Sequence, residues 1–188
     1  MSDPVEVIER YTYAEYAKWP EAVRCELIDG IIYMMSSPTE WHQDMVMELA
    51  VQLNIFLKGK KCKIIISPFD VRLFPKTDNS DSNVVIPDII VVCDRQKISD
   101  GKSCRGAPDF IIEILSPSTK KRDLVAKKSL YAKAGVKECW FISNEELLKC
   151  TLNKNYEFDE TVIHFLFDRK PVTVETLPGC ELNIPVMN

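Results

Sequence analysis

Two apolar, mostly β-branched runs set the limits on what this chain can fold into. They are Ile86-Pro87-Asp88-Ile89-Ile90-Val91-Val92 and Asp109-Phe110-Ile111-Ile112-Glu113-Ile114-Leu115. Neither alternates polar with apolar residues, as a half-exposed strand would. Unbroken runs of this length suit strands covered on both faces. A sheet covered in this way needs helices packed on it, and the rest of the chain must supply them.

It does. Thr12 to Trp19 reads as a short helix. Cys25-Glu26-Leu27-Ile28 and Ile31-Ile32-Tyr33-Met34-Met35 read as strands joined by Asp29-Gly30, the turn chemistry of a two-residue hairpin. Ser37-Pro38-Thr39-Glu40 has the form of a capping box, with Ser37 as N-cap and Pro38 at the first helical position. Trp41, Met45, Leu49, Leu53 and Phe56 follow at helical spacing, and Gly59 ends the helix. Strands are expected at Cys62 to Ser67 and Phe69 to Phe74, then a mobile surface loop at Pro75 to Asn83. Arg95 to Gly106 is a polar excursion between the two apolar runs. Ser116-Pro117-Ser118-Thr119 opens a second helix that runs to Ala134 and stops at Gly135. Val136 to Ser143, Leu147 to Leu152 and Thr161 to Phe167 read as further strands. Asn153 to Asn155 and Asp168 to Pro171 read as turns. The order predicts an α/β (α+β) fold: one domain over residues 1–188, a mixed sheet flanked by helices, with an N-terminal helix and a β-hairpin. Residues of about 10–150 form its core, and 151–188 supply C-terminal strands.

Two carboxylates, Asp88 and Glu113, lie inside the apolar runs. An unpaired buried carboxylate is costly, so each needs a partner. One solution is an ion pair with Lys or Arg. The other is a divalent cation shared by both acids, and hard oxygen ligands favour Mg2+ or Mn2+ over zinc. Asp123, Lys127 and Tyr131 are spaced i, i+4, i+8 and share one helix face, which could lie against the end of the Glu113 strand. Lys127 there would orient a water or stabilise negative charge. In the plainer reading it pairs with Asp123. His42 sits early on the long helix, as a packing residue or a participant. Ser116 and Ser118 lack a G-x-S-x-G elbow, only His42 and His164 could serve as base, and helix capping explains one of these serines, so the sequence argues against serine-hydrolase chemistry. Tyr11, Tyr13 and Tyr16 read as packing residues.

The net charge of −4 argues against a broad nucleic-acid-coating surface. Two local clusters are basic: Lys58, Lys60, Lys61, Lys63, and Lys120, Lys121, Arg122, Lys127, Lys128. Taken singly, each reads as a solvated helix end or face. The seven cysteines (25, 62, 93, 104, 139, 150, 180) include no C-x-x-C pair, so neither a zinc ribbon nor a dithiol redox motif is present. They read as reduced structural thiols of a cytoplasmic protein. The polar, acidic N-terminus is unlike a signal peptide, and no run approaches the roughly 20 apolar residues of a membrane span.

Taken in order, Glu26-Leu27-Ile28-Asp29-Gly30, His42, Pro87-Asp88, Glu113-Ile114-Leu115-Ser116-Pro117-Ser118-Thr119, Asp123, Lys127, Tyr131, Gly135-Val136 and Cys139-Trp140 resemble the Uma2 (Uma-two) family of restriction-endonuclease-like proteins. The resemblance covers about residues 10 to 185. It implies the PD-(D/E)xK nuclease fold, with Asp88 and Glu113 as the motif acids and metal ligands, and supporting roles for Glu26, His42 and Lys127. It further implies Mg2+ or Mn2+ as cofactor and DNA as partner. A homodimer is expected by analogy, since double-strand cleavage needs two active sites. The sequence departs from the orthodox motif: Leu115 stands where the lysine belongs, and Lys127 would replace it from the helix. A catalytically inactive nucleic-acid-binding or regulatory module is the alternative. A small-molecule hydrolase, recognisable by a narrow apolar pocket with no basic rim beside Asp88, is a third option.

Overall fold

A computed structural model describes residues 9–20, 22–116, 120–165 and 169–186. In chain order the elements are α1 (Tyr13–Tyr16), β1 (Cys25–Ile28), β2 (Ile31–Met34), α2 (Glu40–Leu57), β3 (Lys63–Ile66), β4 (Asp70–Arg72), β5 (Val84–Val85), β6 (Ile89–Val92), β7 (Ser103–Arg105) and β8 (Phe110–Ile114). Helix α3 follows over 120–134, then β9 (Glu138–Ile142), β10 (Leu147–Leu152), β11 (Phe158–Ile163), β12 (Val172–Thr173) and β13 (Glu181–Leu182). The strands form a five-stranded sheet, β2-β1-β5-β4-β7, and a six-stranded sheet, β11-β10-β9-β8-β6-β3. Both are mixed. The β4–β7 and β8–β9 pairs are parallel, and the other pairings in the two sheets are antiparallel. The β12–β13 ribbon lies by α2, where Gln52 and the Asn183 backbone exchange two hydrogen bonds of 2.8 and 2.9 Å.

The two-sided burial expected of the apolar runs follows from strand alternation. Ile89 and Val91 of β6, Phe110, Ile112 and Ile114 of β8, and Trp140 and Ile142 of β9 pack on Met45, Leu49 and Leu53 of α2. The intervening Ile90, Val92, Ile111, Cys139 and Phe141 face the other way. They meet Leu130 and Tyr131 of α3 together with Ile28, Val71 and Val85 of the five-stranded sheet. Each large side chain removed from water in this way contributes about 1.5–3 kcal/mol. Glu113 alternates onto this second face, between Ile112 and Ile114.

Several elements differ from the sequence reading. The strand expected from Ile86 starts only at Ile89, in the six-stranded sheet, and just before it Val84–Val85 forms a short strand of the five-stranded one. Pro87 explains the break, because it has no N–H to continue a ladder. Helix α2 is capped by Thr39, whose hydroxyl accepts from the His42 N–H at 3.3 Å, and not by Ser37. The shift leaves the apolar face unchanged, so packing does not oppose it. The loop at 75–83, expected to be mobile, is tied down instead. Buried Arg72 and Asp81 pair at 2.5 Å, and Arg72 also donates to Asn79 Oδ1 at 2.9 Å. The excursion at 95–106 contains β7, which pairs with β4. Gly135 closes α3 in the left-handed region, as expected, with φ of 87°. The expected cap of this helix at Pro117, Ser118 and Thr119 lies outside the described residues, as do 166–168.

The thiol expectation needs a correction. Cys25, Cys104, Cys139, Cys150 and Cys180 are free and buried, but Cys62 and Cys93 form a disulfide. Carrying the β3–β6 register, Lys63 against Val92, one pair further sets these two residues opposite each other. Their separation of 31 residues gave no sign of it in the sequence. Chain unfolded without reductant should therefore titrate five thiols and, after reduction, seven. Seven before reduction would mean that the two sulfurs face each other unbonded. No helix among the described residues is long and apolar enough to cross a membrane.

Candidate functional site

The strand break at Pro87 sets Asp88 at the seam between the sheets. Its carbonyl accepts from the Ser67 N–H at 2.9 Å. Its Oδ2 accepts from the Ile114 N–H at 2.8 Å and lies 3.2 Å from His42 Nε2, which reaches in from the first turn of α2. Ile89 stands opposite Ile112, so the next pair outward is Asp88 opposite Glu113. Directly opposed residues share a sheet face. Both acids line one cleft.

Glu113 Oε1 takes two contacts, with Lys127 Nζ at 2.6 Å and with the Tyr131 hydroxyl, which donates to it. Lys127 also reaches Glu26 Oε1 at 2.9 Å and Asp123 Oδ1 at 3.5 Å. The i, i+4 pair with Asp123 exists, but it is the longest of the three. Asp123, Lys127 and Tyr131 are all buried, so this face of α3 is not solvated. The helix is π-helical over Asp123–Lys127, and the Lys128 N–H donates to the Asp123 carbonyl five residues back. Such bulges recur at functional sites. Glu26 comes from β1, in the other sheet. It accepts from the Ile86 N–H at 3.0 Å, and Arg122 Nη2 lies 3.2 Å from its Oε2. Asp88, Glu113, Lys127, Glu26 and His42 are thus brought together.

The charges in this cluster shift one another. Burial is the main influence pushing the Glu113 carboxyl up to about 8. Lys127 opposes it, and Asp123, Asp88 and Glu26 reinforce it. Burial raises Glu26 as well, but Lys127, the Ile86 N–H and Arg122 outweigh it and hold this carboxyl below its ordinary value. Burial would lower the Lys127 ammonium; the three surrounding carboxylates instead raise it. Tyr131 is pushed well up, by burial first and then by Glu113. Lys127 thus stays charged, while Glu113 exchanges its proton near neutrality.

The cleft is a cavity of about 470 Å³. All five candidate residues line it, together with Arg24, Arg122, Asp123 and Ser116. The basic residues Arg24 and Arg122 on its wall do not meet the condition for the small-molecule reading. The donor set is hard oxygen, which suits Mg2+ or Mn2+. Among the described residues no group of three or more His, Cys, Asp or Glu is arranged to hold a metal ion. That still fits Mg2+, which commonly takes one or two carboxylates with waters and substrate oxygens. Among the described residues the contacts of the two acids fall on Asp88 Oδ2 and Glu113 Oε1. Glu26 Oε2 and Asp123 Oδ1 are buried without a hydrogen-bond donor in good geometry. A cation would complement this excess of carboxylate.

A family model described as "Putative restriction endonuclease", Uma2, matches residues 13–185. The chain belongs to the Uma2 family. One relative, an uncharacterised protein of Synechocystis sp., is 28% identical over 156 residues, covering 80% of this chain and 78% of the relative. A crystal structure from Anabaena variabilis, described as a "putative nuclease belonging to DUF820", superposes with a TM-score of 0.73 at 21% identity. The match covers 93% of this chain and 95% of that one. At that identity the likeness speaks for the fold, which is nuclease-like.

Three residues take a part in the candidate site that the sequence does not signal. Tyr131 shares the helix face of Lys127, but nothing in the sequence says that it donates to Glu113. Arg122 falls in a cluster that reads as solvated, yet it pairs with Glu26 across the sheet seam. Arg24 carried no signal beyond lying one residue before the Cys25 strand.

Proposed function

We propose that the protein is a metal-dependent endonuclease that hydrolyses DNA phosphodiester bonds. The observation that carries this reading is that Asp88, one residue before β6, and Glu113 of β8 line one cavity, with Lys127 Nζ 2.6 Å from Glu113. Asp88 and Glu113 would hold Mg2+ or Mn2+, and the ion when bound supplies Lewis-acid polarisation of a phosphate and a more acidic water. The chain's own residues do the rest. Tyr131 and Lys127 fix the Glu113 carboxylate by its Oε1. The Ile114 N–H and His42 fix Asp88 by its Oδ2. Lys127 stays protonated and offsets negative charge gathering beside Glu113. Arg24, Arg122 and the first turn of α2, which begins at the cavity wall, give a phosphate a favourable potential. Glu26 holds Lys127 and Arg122 in place.

The alternative is a nuclease-fold module that binds nucleic acid without cleaving it. One feature favours it: Lys127 already contacts three carboxylates, so its ammonium is heavily committed. One experiment decides between the two. Supercoiled plasmid incubated with the protein should be nicked when Mn2+ or Mg2+ is added and stay intact with EDTA. DNA retained on a filter but uncut, over plasmid, linear duplex and single strand, would establish the module instead.

A further inference from the structure

The outward face of α2 is not used by the cleft. Its inward face, Met45, Leu49 and Leu53, is buried against the six-stranded sheet. Outward, Met47, Val51 and Ile55 follow one another at four-residue spacing, with 56%, 49% and 70% of their surface exposed. Residues so spaced form one continuous stripe along a helix. Three apolar side chains in register on a solvent face are an unpartnered seam, unlike the scattered exposed apolar residues of ordinary surfaces.

The residues at the two ends of the stripe are of opposite charge. Asp44 lies three residues before Met47, and Lys58 lies three residues after Ile55. The order Asp44, Met47, Val51, Ile55, Lys58 has spacings of three, four, four and three, symmetric about Val51. At about 100° per residue all five fall within a band roughly 80° wide. Spacings of three and four are those of a helix–helix seam. Glu40 extends the acidic end, and Lys60 and Lys61 the basic end.

We propose that this stripe is a self-association surface, on which α2 of a second copy of this chain packs antiparallel about a two-fold axis through Val51. In that arrangement Val51 meets its own copy, Met47 meets Ile55 of the second copy, and Asp44 stands opposite Lys58 of the second copy. An isologous interface requires such self-complementarity. A parallel pairing would set Asp44 against Asp44 and Lys58 against Lys58, and like charges oppose it. An unrelated partner would have no reason to match a charge order that is symmetric in this chain. The contact is small beside the roughly 800 Å² per partner of a standard interface, so the dimer dissociates at low concentration. The reading stands on α2 alone and does not depend on the phosphodiesterase chemistry.

The test is sedimentation equilibrium on the full chain over a wide concentration range, with the fold of each variant checked by circular dichroism. Wild type should move reversibly from monomer to dimer. Val51→Glu, which sets two carboxylates together on the axis, should be monomeric throughout. Asp44→Lys and Lys58→Asp should each weaken association by about tenfold or more, because two ion pairs become repulsions. The double variant restores both pairs with the signs exchanged, and should return to near the wild-type constant. These substitutions are on the surface and leave the core untouched. A wild type monomeric at all concentrations would overturn the proposal. So would a dimer indifferent to Val51→Glu, or a double variant no better than the singles.

Discussion

Asp88→Asn and Glu113→Gln are each expected to lower Mn2+-dependent cleavage by about a thousandfold. In the proposed function the two carboxylates would set the position of the ion, and its charge would stabilise the transition state by several kcal/mol, with each 1.36 kcal/mol worth about a factor of ten. Both replacements keep the local scaffold. Asparagine can still accept from the Ile114 N–H, and glutamine can still accept from Tyr131. Mn2+ affinity, read by calorimetry, should fall with the rate. In wild type it should also depend on pH. The ion takes carboxylate, and Glu113 holds its proton up to about 8, so affinity rises as pH approaches that value and levels off above it. Stability without metal runs the other way. The Glu113 carboxyl is raised above its ordinary 4.5, so the folded chain binds more protons than the unfolded chain between 4.5 and about 8. That contribution is fully present below 4.5 and is lost as pH rises through about 8. Glutamine does not titrate, so the Glu113→Gln profile should be flatter across this window. Affinity that stays flat with pH and unchanged by either substitution would take the ion away from these acids.

How far the sequence foretold this site depends on the kind of information each residue carries. Asp88 and Glu113 stand out because a charge inside a β-branched run is anomalous in itself. The hairpin stands out because Asp29-Gly30 specifies its turn locally; Asp29 has φ of 50° and Gly30 of 81°. The face shared by Asp123, Lys127 and Tyr131 follows from helical period. What stayed hidden depends on which distant segments meet. Nothing near Glu26 says that Lys127, a hundred residues on, will touch it. Nothing near Cys62 selects Cys93 among six other cysteines. The loop at 75–83 looked mobile by composition, and Asp81 was one acid among several there. Only the sheet places it against Arg72. Pro87 is the most informative residue of its run: the pattern reads it into a strand, although a residue without an N–H is where the chain passes from one sheet to the other. That transfer puts Asp88 beside Glu113 and brings Glu26 in from the second sheet.

Lys127→Met should have the largest effect on stability. The ammonium is buried among Glu113, Glu26 and Asp123, at 2.6, 2.9 and 3.5 Å. Methionine fills a similar volume without the charge, so the Glu26 and Asp123 carboxylates and the Glu113 carboxyl lose their common partner. Breaking a buried pair in this way costs about 3–5 kcal/mol, which denaturant titration reads directly. The loss should depend on pH with a definite sign. Glu113 already holds its proton up to about 8 with the lysine present, and without it the folded-state value moves further up. The folded variant then binds extra protons over a wider range, and the gap to wild type widens as pH rises. Mn2+ should stabilise the variant more than wild type, because the cation replaces the missing positive charge. Cleavage should still fall by about a hundredfold or more, since the ion holds the acids but does not supply the protonated group beside the reacting phosphate. Lys128→Met is the matched control. Lys128 is the next residue, about 100° round the helix, and its ammonium pairs with Glu160 at 2.5 Å near solvent. An exposed pair of this kind contributes roughly 1 kcal/mol or less, and its loss should leave the rate unchanged. Equal, small losses from the two substitutions would reduce α3 to a structural helix and leave the nuclease reading without its lysine.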